Sequence, residues 1–158
     1  MGLLTDSFFI TALRSNEDLV TMLPDGDFYN NVASPDVDME NVELPYIIVN
    51  NDGGSNVAET KDDMFEGYED DVNISIRVVA RSRQELANIV MDVRKTIRDY
   101  VIAVMERISA GTATEDDKLC PEEYNFSFGE VDFDMLKPSH TQILSYQCKT
   151  YNEILDNE

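Results

Sequence analysis

The passage from Asp71 to Gly111 constrains this chain more than any other. Val72, Ile74, Ile76, Val78 and Ala80 alternate with Asn73, Ser75 and Arg77. Period-two alternation puts the apolar set on one face of an antiparallel-type strand and leaves the other face to water. The period then changes with almost no linker. Ser82 stands where a helix N-cap belongs, and Glu85 occupies the capping-box position three residues on. Leu86, Ile89, Val90, Val93, Ile97, Tyr100, Val101, Val104 and Ile108 recur at helical spacing, and Gly111 supplies the stop. A strand that enters a helix so abruptly must turn that helix straight back across its own sheet.

The flanking segments fill out this unit. Leu4, Phe8, Ala12 and Leu13 predict an N-terminal helix over residues 3–13. Ser15-Asn16-Glu17-Asp18 resembles a capping box and predicts a short second helix through Leu19, Met22 and Leu23, ended by Pro24. Phe28 to Val32 is a short strand candidate, and Ser34 to Glu43 is an acidic loop. Leu44-Pro45-Tyr46-Ile47-Ile48-Val49 reads as a strand, with Pro45 confined to its first turn or an edge. Asn50 to Gly67 reads as a long polar loop around Gly53-Gly54-Ser55. Downstream, Tyr124, Phe126 and Phe128 alternate with polar residues, as do Leu144, Tyr146 and Cys148, with a turn at Pro138-Ser139. The predicted architecture is one α+β domain over residues 1–158. An antiparallel β-sheet packs against a long amphipathic helix and an N-terminal helix, with a polar loop at about 50–67 and an acidic C-terminal tail.

Composition narrows the function classes. Acids outnumber bases 32 to 12, for a net charge of −20. Phosphate-held partners such as DNA, RNA or anionic lipid need clustered Lys and Arg, so they are disfavoured. No apolar run approaches the roughly 18 residues of a membrane helix, and the first residues lack the basic stretch of a signal peptide. Two distant cysteines, Cys120 and Cys148, make no disulfide framework. The expectation is a soluble intracellular domain. The charge is unevenly spread, however. Residues 17–73 hold sixteen acids against Lys61 alone, whereas seven of the twelve bases lie between Arg77 and Arg107. A surface divided in this way suits head-to-side association between copies, which closes into a ring when the rotation allows. Arg81, Arg83, Arg94, Lys95 and Arg98 are therefore the expected subunit interface, unless they pair with acids of their own helix such as Asp92 and Asp99. Met64 and Phe65, the adjacent large apolar pair in the polar loop, are its expected anchor on a partner.

Catalytic signatures do not emerge. The single histidine, His140, sits in a predicted turn and reads as a solvated surface residue. Serines lack a nucleophile elbow, and Cys148 falls on an apolar strand face as a small buried hydrophobe. Asp36-Val37-Asp38-Met39-Glu40 mimics the start of a calcium loop, but Asn41 replaces the required glycine and Ile47 the closing glutamate. Asp62-Asp63, Asp70-Asp71 and Asp116-Asp117 are read as solvated acids rather than as metal sites. No cofactor is expected.

The Leu44 to Val49 strand, the alternating Asp71 to Ala80 strand and the Arg81-Ser82-Arg83 junction into the main helix occur in a recognisable order. So do the N-terminal helix ending near Leu23, the Phe28-Tyr29 segment and the β region from Ile143 to Tyr151. Together these resemble the tail-terminator, or tail-completion, proteins of long-tailed phages of the lambda type, over most of the chain. The polar loop and the acidic Glu106 to Glu123 stretch depart from that pattern. The resemblance implies a virion structural protein without catalytic residues, which caps the tail tube as a sixfold ring and stops its growth. It implies a homo-oligomer, with the major tail tube protein on one side and the head–tail connector or neck protein on the other. DNA would pass through without specific binding, and no membrane is involved. The expected location is the head-proximal end of the tail, after assembly in the host cytoplasm. An acidic lining would suit such a ring by repelling DNA phosphates. The alternatives are a neck or head-completion protein, an acidic DNA mimic that inhibits a nuclease or restriction enzyme, and a metal-dependent enzyme.

Overall fold

The computed structural model describes residues 4–23, 32–33, 43–57 and 69–151. Helices α1 (Thr5–Arg14) and α2 (Glu17–Thr21) come first, followed by a short strand β1 (Val32–Ala33). Strands β2 (Tyr46–Val57) and β3 (Glu69–Ala80) lead to the long helix α3 (Arg83–Ala110). A single 3-10 turn (Asp116–Leu119) precedes β4 (Glu123–Phe128), β5 (Asp132–Asp134) and β6 (Ser139–Tyr151). The strand order is β1-β2-β3-β6-β4, and β5 also pairs with β6. All neighbours are antiparallel except β1 and β2. The architecture is the predicted α+β class, an antiparallel sheet under a long amphipathic helix and an N-terminal helix.

The core lies between these helices and one face of the sheet. Leu86, Ile89, Val93, Ile97, Val101 and Val104 of α3 meet Val72, Ile74, Ile76 and Val78 of β3, with Leu144, Tyr146 and Cys148 of β6. Phe8, Phe9 and Leu13 of α1 complete the cluster. Each such side chain contributes about 1.5–3 kcal/mol when fully buried. Two corrections apply to the predicted stripe. Ile108 is 49% exposed, because the last turn of α3 runs past the packed layer. Thr96 is buried instead, its hydroxyl accepting from Asn16 Nδ2 at 2.7 Å.

That Asn16 contact also explains a correction to the α2 cap. Ser15 has helical backbone angles and its hydroxyl donates to Ala12 O, so it continues the turn of α1. Asn16 is extended, and its side-chain oxygen accepts from the Asp18 and Leu19 N–H groups, which makes it the N-cap. In α3 the cap is Ser82, as predicted, with its hydroxyl 3.1 Å from the Glu85 nitrogen. The return contact differs from a capping box: the Glu85 carboxylate accepts from the Arg81 N–H and not from that of Ser82. Gly111 takes φ +76° and closes α3 with its N–H on Ile108 O, while Thr112 N–H reaches Arg107 O.

The predicted polar loop is partly a strand. β2 continues beyond Val49 to Val57, pairing Asn50 to Val57 with Ser75 to Glu69. Polar side chains hid this, since a ladder needs only backbone groups and this stretch buries little. Two residues, Asp52 and Gly53, face the single Asn73, and Gly53 has φ +90°. This is a β-bulge that needs glycine at the left-handed position. At Gly54 a Cβ would collide with the Asp71 carbonyl oxygen, so only glycine lets the two strands close up again. Residues 58–68, including Met64 and Phe65, lie outside the described residues, as do 24–31, 34–42 and 152–158.

Candidate functional site

β4 is the outermost strand, and α3 does not fully roof it. The opening between them is a groove of about 570 Å³ whose floor includes Tyr146. Its strand wall is Tyr124 and Phe126, and its helix wall is Met91, Asp92, Arg94, Lys95 and Arg98. The rings are held in a cluster: the Phe126 and Tyr146 centroids are 5.0 Å apart, Tyr124 and Tyr146 5.3 Å, and Phe9 and Tyr146 5.2 Å. Arg94 places its guanidinium carbon 4.4 Å from the Phe126 centroid, a cation–π contact worth roughly 0.5–1 kcal/mol at an exposed site. Helical spacing puts Arg94 and Arg98 one turn apart along the rim. The groove thus joins apolar rings to a basic edge on a subunit of net charge −20. Burial in this cluster raises the Tyr146 hydroxyl above its ordinary pKa, and does the same to Tyr124.

The five predicted interface bases separate into two groups. Arg94, Lys95 and Arg98 come together on the groove wall. Arg98 also lies 3.3 Å from Asp99, a pair exposed on both sides and therefore weak. Arg81 is engaged at home: its side chain reaches Glu85 at 2.8 Å while its N–H donates to the same carboxylate. Its guanidinium is held above its usual pKa by that hydrogen bond, and Glu85 is held below. Arg83 is exposed at the start of α3, away from the groove lining.

The segment beyond β4 was not anticipated. β5 pairs with the same side of β6 as β4, so the two form one edge strand, with three residues (129–131) facing two (142–143). The extra residue is a second bulge. Large apolar side chains on this edge are in solvent: Phe128 is 63% exposed, Met135 80% and Leu136 99%. The alternation in Tyr124-Phe126-Phe128 was visible in the sequence, but its lack of cover was not. His140 corrects a further expectation. It begins β6 rather than lying in a turn, half-buried with its ring 4.9 Å from Phe133.

The acidic stretch after α3 contains a structural pair. Asp117, read from sequence as solvated, is buried and takes a bidentate contact from Arg107, with both distances 2.8 Å. Arg107 first, and then the Thr114 N–H, hold the Asp117 carboxyl down at about 2. Cys120 and Cys148 are free, and burial pushes each thiol up to about 12, so neither is a thiolate near neutral pH. Among the described residues no group of three or more His, Cys, Asp or Glu could hold a metal ion. No helix among them is long and apolar enough to cross a membrane. A second concavity of about 310 Å³ opens where β3, β6 and β4 present Asn73, Gln147 and Asn125. Its one base, Lys149, lies 3.6 Å from Glu123. Of these two concavities, the first combines half-buried apolar rings with exposed positive charge, a combination suited to protein recognition. Compared with known proteins, the chain matches no family model and no curated sequence.

Proposed function

We propose that this chain is a ring-forming structural protein of a phage tail, which stops growth of the tail tube and offers its free face to the head connector. The observation that carries the reading is the basic, aromatic groove between α3 and β4 on a strongly acidic subunit. A subunit with a basic docking face and an acidic remainder can bind its own copies head to side, and such contacts close into a ring when the rotation allows. The tail role itself comes from the sequence resemblance, whose order of strand, junction and long helix agrees with the fold. Arg94, Lys95 and Arg98 are the interface residues under this reading.

The test is direct. Purified protein is sized by light scattering and imaged for rings, then added to growing tail tubes whose length distribution is measured. Discrete rings and arrested tubes are expected. A monomer that leaves tube length unchanged, yet binds a nuclease one to one, would overturn the proposal in favour of the DNA-mimic alternative.

A further inference from the structure

Five of the large apolar residues exposed in the described chain lie within nine positions: Phe128, Val131, Phe133, Met135 and Leu136. Contiguous apolar exposure of this kind marks an interaction surface. The segment is also acidic, with Glu130, Asp132 and Asp134 against Lys137, and none of these acids forms an ion pair among the described residues. It is nevertheless held in place. Gly129 N–H donates to Ile143 O at 3.0 Å, and the Gln142 amide donates to Gly129 O at 2.9 Å. At the far end the Asp134 carboxylate accepts from the Leu136 N–H at 2.9 Å, which fixes the turn that projects Met135 and Leu136. A prefixed arm loses little conformational freedom when it docks.

We propose that this arm docks in the α3–β4 groove of a second copy of the chain. The proposal rests on the self-assembly reading above and names both halves of the contact. Charge and spacing argue for the pairing. Asp132 and Asp134 sit two residues apart on a strand and so share a face, at a separation of about 7 Å. Arg94 and Arg98 lie four residues apart on α3, about 5–6 Å between Cβ atoms. Two carboxylates on one strand face can therefore meet two guanidiniums one helical turn apart. The projected Met135 and Leu136 supply the apolar part, against Met91, Tyr124 and Phe126. The groove volume of about 570 Å³ accommodates them, lying within the roughly 300–1,000 Å³ range of binding sites. Arm and groove are different surfaces, so repetition of the contact makes a ring or a filament, whereas reciprocal exchange makes a dimer.

The experiment uses the full chain and two charge-reversed forms, Arg94→Glu with Arg98→Glu, and Asp132→Lys, which leaves the turn-fixing Asp134 in place. All substituted positions are exposed, and circular dichroism verifies folding. Sedimentation velocity reads assembly, and carbodiimide coupling with mass spectrometry reads which Lys joins which acid. Each variant alone should assemble roughly tenfold more weakly or worse, equivalent to about 1.4 kcal/mol. An equimolar mixture should recover assembly, because each groove then meets a residue 132 of opposite charge. In the wild type, Lys95 should couple to Asp132 or Asp134 of another copy. Assembly that persists in both variants, with coupling elsewhere, would overturn this contact while leaving the ring reading intact. Reciprocal dimers coupled at Lys95 would support the contact and overturn the ring. A wild type that stays monomeric at every concentration, without intermolecular coupling, would overturn both.

Discussion

Replacing Ile97 tests whether α3 is the central element of the core. Ile97 is fully buried at the middle of the α3 face that meets the sheet. Ile97→Ala removes three carbon groups, about 2.4 kcal/mol at roughly 0.8 kcal/mol per buried CH₂. Incomplete collapse around the vacated space adds to this, which places measured changes of this type at about 2–5 kcal/mol. Alanine's better helix propensity returns only a few tenths of a kcal/mol. The net expectation is a loss of about 3 kcal/mol, a large part of the roughly 5–15 kcal/mol typical of a domain. Urea unfolding followed by circular dichroism measures it, with Ile102→Ala as the control. Ile102 lies on the same helix but is 51% exposed, so its truncation should change stability by about 0.5 kcal/mol or less. Ile97→Asp should not fold, because an unpaired carboxylate would be buried at a cost of several kcal/mol. Equal losses at positions 97 and 102, or a cooperative melt for Ile97→Asp, would refute the assignment of this face to the core.

Asp117→Asn should destabilise the protein by on the order of 1–2 kcal/mol at pH 7, between an exposed and a fully buried pair. Because the folded Asp117 carboxyl is held down at about 2, its stabilisation is complete above about pH 4 and lost as pH falls toward 2. Unfolding at pH 7 and pH 2.5 should show the full wild-type advantage at the higher pH and only a minor part of it at the lower, where the folded carboxyl is still largely ionised, both values lying away from the isoelectric point near 4.1. Gly54→Ala should cost about 1–3 kcal/mol, since its Cβ would collide with the Asp71 carbonyl, and faster amide exchange along β2 after the bulge would report the separation. Self-association should peak at intermediate salt. At roughly 0.01 M the Debye length of about 30 Å lets whole subunits repel, and at about 1 M the arm–groove pairs are screened. Sedimentation across a salt series checks this, and a steady rise to high salt would mean that the contact is apolar only.

Where a residue's partner is local in sequence, the fold was legible. Ser82, Gly111 and the Val72 to Ala80 alternation each act through neighbours within a few positions, and each was assigned correctly. The strand after Val49 was not, because Asn50 to Val57 hydrogen-bond through the backbone and carry almost no apolar signal. Thr96 was missed for a related reason. Its burial depends on Asn16, eighty positions away, offering the hydrogen bond that makes a buried hydroxyl tolerable. Asp117 was misread in the opposite direction: an acid in an acidic run looks solvated until Arg107 folds back onto it. The basic cluster Arg94, Lys95 and Arg98 was visible as a composition shift, but the aromatic wall facing it comes from β4 and required the sheet order.

The groove itself follows from dimensions rather than from composition. A helix with its side chains is about 10–12 Å wide, whereas neighbouring strands lie about 4.8 Å apart, so one helix roofs about two strands. α3 lies over β3 and β6, and α1 packs toward β1 and β2. Four strands are then covered, and the fifth position, held by β4 and β5, is left at the margin. Alternation in Tyr124, Phe126 and Phe128 reveals which face these rings share but not whether a helix reaches them. Along β4 the cover fails progressively, from half-buried Tyr124 and Phe126 to exposed Phe128. A third helix over that margin would have made the same residues ordinary core. Without one, the rings meet the outward side of α3, where a core-facing helix carries its charges, and those charges are Arg94, Lys95 and Arg98. Apolar floor and basic rim are therefore one consequence of a sheet one strand wider than its helices, and the uncovered width is what a second copy's arm can fill.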